Sequence, residues 1–246
     1  VYKVTPDKSV TEVFVAPEGF NPASIKIDKE GRLFLAGLGN FTSTGSIISC
    51  NPDGTDIRVI VPSTSGYAID DLVFDNKGGI FFVDSKGSPT NPTGGVYYLS
   101  PDFKSITPVV KNMAWPNGIV LSADQKILYV TEMAAGRLHR FELQEDGITI
   151  NNNGSNVPYY FTGTPGPDSA TIDSDDNIYV AMFKQGKVLV FNKDGIPIGL
   201  ILIPGREEGR NLFSTHVAFI PGTNQLVICT ADVGGTNGQW IFTARG

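Results

Sequence analysis

The feature that most constrains this chain is a repeat. Five segments follow one pattern, an apolar strand, a D-x-x-G-like turn and a second apolar strand: IKIDKEGRLFLA from Ile25, LVFDNKGGIFFV from Leu72, IVLSADQKILYV from Ile119, ATIDSDDNIYVA from Ala170 and VAFIPGTNQLVI from Val217. The third residues of the first strands in this pattern are Ile27, Phe74, Leu121, Ile172 and Phe219, separated by 47, 47, 51 and 47 residues. A glycine then opens a third strand in each unit, at Gly45, Gly95, Gly136, Gly186 and Gly238. Units of this length, with about four short strands each, mark a β-propeller, because one small sheet cannot bury both its faces and must stack on its neighbours around an axis. Composition agrees: 28 Gly, 16 Pro and 10% aromatic residues suit turns and strands, and no run places apolar residues at helical spacing. In the turns, Asp28 and Asp75 bond their own backbone while Gly31 and Gly78 take the positive φ that closes the hairpin.

The start of the chain repeats half a unit. VYKVTPDKSVTEVFVAPEGFNP from Val1 matches VYYLSPDFKSITPVVKNMAWPN from Val96, a segment from the outer half of a blade. The expectation is therefore an all-β, six-bladed propeller whose first blade lacks its inner half. It forms one domain over 1–246, with that outer half in 1–20 and five repeats starting near 21, 68, 115, 166 and 213. The inner half and a closing strand are expected upstream of Val1.

A net charge of −6 and a pI near 4.9 give no basic surface for nucleic acid or an anionic membrane. No stretch approaches the ~18 consecutive apolar residues of a membrane helix, and nothing within 1–246 reads as a leader. Cys50 and Cys229 stand far apart in no metal or redox spacing, the expectation being two inert thiols in a reducing, cytoplasmic setting.

Propellers work at the end of the channel where loops enter the innermost strands, so chemistry should recur at a fixed register there. Four residues before each reference position stand Ala23, Asp70, Asn117, Asp168 and Thr215, with Asp71, Ser169 and His216 immediately after three of them. Two carboxylates and an amide converging on one axis repel unless a cation lies between them. An all-oxygen donor set favours calcium or magnesium over zinc. The competing reading is that these side chains cap backbone N–H groups at strand entrances. His139, alternating with apolar residues in a third strand, reads as structural.

The blocks YAIDDLVFD, WPNGIVLS, GPDSATIDSDDNIYVA and GKVLVFNKDG resemble the gluconolactonase and regucalcin (senescence marker protein) family. STHVAFIPGTNQLVIC and TNPTGGVYYLSPDF are similar to its bacterial, drug-responsive lactonase branch. The resemblance covers essentially the whole chain. It implies a calcium-dependent lactonase, with Mg2+ or Zn2+ as possible substitutes for Ca2+, acting on a small-molecule lactone. By the resemblance Asn117 and Asp168 would be metal ligands, Asp168 would double as general acid/base, and the Asp70–Asp71 pair would face metal and substrate; from the register, Ser169 joins Asp70, Asn117 and Asp168 in the metal set and His216 stands with Asp71 toward substrate. A second calcium site would use Ser43, Gly45, Ser65 and Tyr67, although Pro62 stands where an aspartate is expected. The family's first-blade glutamate ligand has no counterpart here. Two alternatives stay open at this point: a non-catalytic propeller that binds a protein or carbohydrate, and a related calcium-dependent esterase or phosphotriesterase. Oligomeric state is not legible.

Overall fold

The computed structural model describes residues 1–163, 165–232 and 238–245. Its strands fall into five blade sheets and one ribbon. β1 (Tyr2–Val4) and β2 (Val10–Glu12) make the ribbon. The first blade is β3 (Pro22–Ile27), β4 (Leu33–Gly37), β5 (Ser46–Cys50) and β6 (Arg58–Val61). The second is β7 (Ile69–Phe74), β8 (Ile80–Asp84), β9 (Gly94–Leu99) and β10 (Ile106–Met113). The third is β11 (Pro116–Leu121), β12 (Ile127–Glu132), β13 (Arg137–Leu143) and β14 (Ile150–Tyr160). The fourth is β15 (Pro167–Ile172), β16 (Ile178–Met182), β17 (Lys187–Phe191) and β18 (Pro197–Leu202). The fifth has three strands among the described residues, β19 (Phe213–Phe219), β20 (Gln225–Ala231) and β21 (Gln239–Arg245).

Each blade is an antiparallel meander from the axis outward, and β3, β7, β11, β15 and β19 are the innermost strands, each packed on the next. The second strands are buried along their whole length in blades one, two and four, as a strand covered on both faces must be. The core is a series of layers between successive sheets: Phe34, Ile69 and Phe82 between blades one and two, Phe81, Ile119 and Val130 between two and three, Tyr129, Ile178 and Phe191 between three and four, and Tyr179, Val188 and Ile228 between four and five.

The blade count corrects the sequence expectation. Five blades form, not six with a halved first member. The likeness of 1–22 to the segment from Val96 is real at the level of one antiparallel pair, with Tyr2 opposite Glu12. That pair consists of two three-residue strands whose six residues are all exposed, too little apolar surface to build a blade. The segment is held instead by Phe14, which packs with Phe20, Leu33, Leu35 and Ile48 of the first blade, Val1 and Val13 lying alongside.

Cys50 and Cys229 are both free, the first buried. No helix among the described residues is long and apolar enough to cross a membrane.

Phe82 is fully buried in the layer between blades one and two, stacked on Tyr97 and edge-on to Tyr67. Phe82→Ala should lower unfolding free energy in urea by about 3–5 kcal/mol; a loss below about 1 kcal/mol would mean that this layer does not carry the blade contact.

Candidate active site at the channel mouth

All five innermost strands share one irregularity. Pairing with the second strand slips by one residue between Pro22 and Ser24, Ile69 and Leu72, Pro116 and Ile119, Pro167 and Ala170, and Ser214 and His216. The residues left out of register are Ala23, Asp70–Asp71, Asn117–Gly118, Asp168–Ser169 and Thr215. A bulge of this kind breaks strict alternation and re-aims side chains, so two consecutive residues can serve one end of the channel.

Three of these bulges are joined by their side chains. Asn117 Nδ2 donates to Asp70 Oδ2 at 3.1 Å, and Ser169 Oγ donates to Asn117 Oδ1 at 3.3 Å. Asp168 Oδ1 accepts from the Ser169 N–H at 3.0 Å. Thr131 ties the backbones beneath, accepting from Gly118 N–H and donating to the Asp168 carbonyl, both at 2.7 Å. Gly118 is required by close approach: a Cβ there would lie 2.5 Å from the Ala170 nitrogen and 2.8 Å from the Ser169 carbonyl carbon.

The electrostatics of the cluster are unusual. Asp70 and Asp168 are almost fully buried, and among the described residues neither forms an ion pair with Lys, Arg or His. Burial, and then the charge of Asp71, push the Asp70 carboxyl up to about 7. Burial, and then the charge of Asp70, hold the Asp168 carboxyl well above the usual range. Two uncompensated carboxyls, an amide oxygen and a hydroxyl form a hard-oxygen donor set that a dication would relieve. This set fits a divalent metal, although it contains only two carboxylates; no group of three or more His, Cys, Asp or Glu suited to a metal occurs among the described residues.

Asp71 is placed differently. Its carboxylate pairs with Lys26 Nζ at 3.2 Å and accepts from Leu72 N–H at 2.9 Å and Ile119 N–H at 3.4 Å, so it braces β3, β7 and β11. His216 follows the β19 bulge, paired with Cys229, with Nδ1 enclosed and without a hydrogen-bond partner among the described residues. Burial, and then the nearby Lys26 charge, push its imidazole down to about 4.

The second group of sequence candidates is neutral. Gly45 N–H donates to the Tyr67 carbonyl at 2.6 Å, which brings those two residues together. Ser65 ends a 3-10 turn, its N–H bonded to the Pro62 carbonyl at 3.0 Å, and the exposed Ser43 turns its N–H to Asn40 Oδ1 at 2.8 Å. None of the four carries charge.

Sequence reasoning missed a set of acids at the ends of second strands. Asp84 Oδ1 accepts from Ala68 N–H at 2.8 Å, Glu132 Oε1 from Ala114 N–H at 2.6 Å, and Asp232 Oδ1 from Asn211 N–H at 2.5 Å. Each anchors the loop that leads into an innermost strand. Lys86 neutralises Asp84 at 2.9 Å, and His139 meets Glu132 at 2.7 Å. The signal was present in FFVD, YVTE and CTAD, where an apolar run ends on an acid in three blades.

A model of the SMP-30/gluconolactonase/LRE-like region matches residues 1–232. The chain belongs to this family. A protein named lactonase drp35 from Staphylococcus saprophyticus is 58% identical over 241 residues, 98% of this chain and 74% of the relative. One of the same name from Staphylococcus aureus is 54% identical, covering 100% of this chain and 76% of its own. Among solved structures, a luciferin-regenerating enzyme superposes with a TM-score of 0.77 at 22% identity, covering 100% of this chain and 83% of that one. A calcium-binding regucalcin from Agrobacterium tumefaciens gives 0.75 at 17% identity, covering 96% and 79%. At such identities the two structures show the shared fold.

Two outcomes are expected. In metal-free protein Asp70 holds its proton in the folded state up to about pH 7, whereas unfolded aspartate loses it near 3.9. The folded state thus binds more protons, and stability falls as pH rises through that window. Denaturant titrations at several pH values should show this fall in wild type, a smaller one in Asp70→Asn, and its reversal by excess divalent cation; a flat difference between the two proteins would contradict the buried-carboxyl assignment. Gly118→Ala should cost about 1–3 kcal/mol by overpacking and weaken cation binding measured by calorimetry, because β15 must move away from β11.

Proposed function

We propose that this chain is a lactonase that hydrolyses a small-molecule lactone at the channel mouth, with Asp70, Asn117, Asp168 and Ser169 holding a calcium ion. The observation that carries the reading is the pair of buried carboxyls, Asp70 and Asp168, bridged by Asn117 and lacking any cationic partner among the described residues. Relatives that share more than half their residues with this chain along nearly its whole length bear the name lactonase, which supports the same conclusion.

The roles follow from chemistry. A bound calcium ion would polarise the lactone carbonyl and return both carboxyls to their charged form. Asp168 takes a proton from the attacking water as its oxygen bonds to the carbonyl carbon. As the ring C–O bond breaks, Asp168 gives that proton to the departing ring oxygen, and the product is a hydroxy acid. Ser169 and Thr131 hold Asp168 and Asn117 in place from the side-chain and backbone sides. Asp71, paired with Lys26, fixes the β7 bulge rather than moving protons. Burial of the cluster keeps bulk water from competing for these hydrogen bonds. Magnesium would fit the same donors, with a stricter demand on geometry.

The test is pH-stat hydrolysis of small lactones by wild type and Asp168→Asn, each in excess calcium and again with chelator. Turnover should require calcium, and the variant should lose about 10²–10⁴-fold in kcat while its melting temperature stays close to that of wild type. Undiminished turnover in Asp168→Asn would remove Asp168 from the reaction.

A further inference from the structure

Beside the carboxyl cluster lies a second feature that the reaction itself does not use. A cleft of about 610 Å³ opens where the connections of blades three and four meet, lined by Trp115, Met133, Phe161, Phe183 and a floor of Ala135 and Gly166. It adjoins the site through the backbone: Trp115 stands two residues before Asn117, and Gly166 two residues before Asp168, on neighbouring strands β11 and β15. Its volume falls within the range of small-molecule pockets.

The described side chains on the lining are almost all apolar. Every described residue on it is Trp, Met, Phe, Ala, Pro or Gly, so among the described residues the Trp115 indole N–H is the one side-chain hydrogen-bonding group on the lining. A polyhydroxylated ring seated here would surrender water from several hydroxyls with one indole N–H and backbone groups to replace it, and each hydroxyl left unpaired is unfavourable by about 1–3 kcal/mol. An alkyl chain or other apolar group would gain about 0.8 kcal/mol for each buried CH₂.

The wall is also built under strain. Trp115 has φ of 53° immediately before Pro116, a left-handed backbone that a bulky residue adopts only when the surroundings enforce it. Two hydrogen bonds enforce it here. Trp115 N–H donates to the Lys86 carbonyl at 2.8 Å, and the Trp115 carbonyl accepts from Met133 N–H at 2.9 Å. On the other side Phe183 is tilted against Phe213 with ring centroids 4.6 Å apart. Phe161 makes edge contacts with Tyr159 and Phe191 of the core layer, which fixes its ring.

We infer that this cleft seats the non-reacting part of the substrate, that Trp115, Met133 and Phe183 are specificity-determining residues, and that the preferred lactones carry an apolar substituent rather than hydroxyls. The inference rests on the channel-mouth cluster being the hydrolytic centre, and the test separates the two. A series of δ-lactones with alkyl substituents from none to five carbons, and a polyhydroxylated δ-lactone, are assayed for kcat/KM. The corresponding lactams, whose amide resists hydrolysis, are titrated while indole fluorescence is followed.

In wild type, kcat/KM should rise about three- to fourfold per added CH₂ over the first few carbons, with the polyhydroxylated lactone poorest. Ala135→Phe, which fills the cleft, and Phe183→Ser, which opens and wets it, should each cut the ratio between the longest alkyl lactone and the polyhydroxylated one at least tenfold. Circular dichroism and thermal melts check that both variants fold. The alkyl lactams should bind and change fluorescence in wild type and in Trp240→Phe, but give no fluorescence change in Trp115→Phe. Turnover with no dependence on chain length, or ratios untouched by both variants, overturns the inference and leaves the hydrolytic centre standing. Chain-length-dependent lactam binding without any lactone turnover overturns the hydrolytic reading and leaves the cleft assignment standing. Absence of lactam binding overturns the cleft assignment whatever the turnover.

Discussion

One extra residue in each innermost strand is the constraint on which the rest of the site depends. A regular strand entering the channel would send Asp70 and Asp71, or Asp168 and Ser169, to opposite faces. The bulge recurs at equivalent positions in all five blades, whether the residue is Ala23, an acid, an amide or Thr215. The scaffold therefore builds five similar entrances, and residue identity decides which of them carry chemistry. Blades two, three and four supply Asp70, Asn117 and Asp168, and their neighbourhood follows from the stacking of β7, β11 and β15.

Acids at two levels of the same blades meet opposite fates. Burial alone would push Glu132 up, yet the His139 hydrogen bond, the Ala114 N–H and the Arg137 charge bring it below its ordinary value. It is a charged anchor for a loop. Asp70 and Asp168, in the bulges, accept hydrogen bonds but have no cationic partner among the described residues, and Asp71's charge bears on Asp70 as Asp70's does on Asp168. A fold can keep an arrangement of that kind where something else is expected to bind, and perturbed carboxyls in a concave setting are the usual mark of a functional centre. The apolar cleft next to it has the complementary character. One region is charged and the other apolar, and they meet at the entrances to blades three and four.

Legibility in the sequence followed the repeat. The period and the glycines that open third strands are readable because each blade must solve the same burial problem. The register of Asp70, Asn117 and Asp168 was readable because it is counted from those strands, although the bulge that makes it meaningful left no mark in composition. The six-blade expectation failed because it counted a strand–turn–strand likeness at Val1 as part of a blade, and such a likeness carries no information about the inner strands that would have to support it. Asp84, Glu132 and Asp232 were passed over since an acid ending an apolar run looks like an ordinary strand terminus. The cleft could not be read at all: Trp115, Met133, Phe161 and Phe183 come from four separate stretches with no shared spacing.

By itself, then, the sequence determined the all-β stacking, the repeat that sets strand order, and the family to which the blocks around Asn117 and Asp168 belong. Only the tertiary structure decided how many blades form, which register positions touch, and that Asp71 is braced by Lys26 while Asp70 has no counter-charge among the described residues. The physical reason is range. Strand propensity and turn chemistry act over a few residues and are written locally, whereas the contact between Asp70 and Asn117, or between Asn117 and Ser169, joins residues 47 and 52 apart and exists only once whole blades have packed.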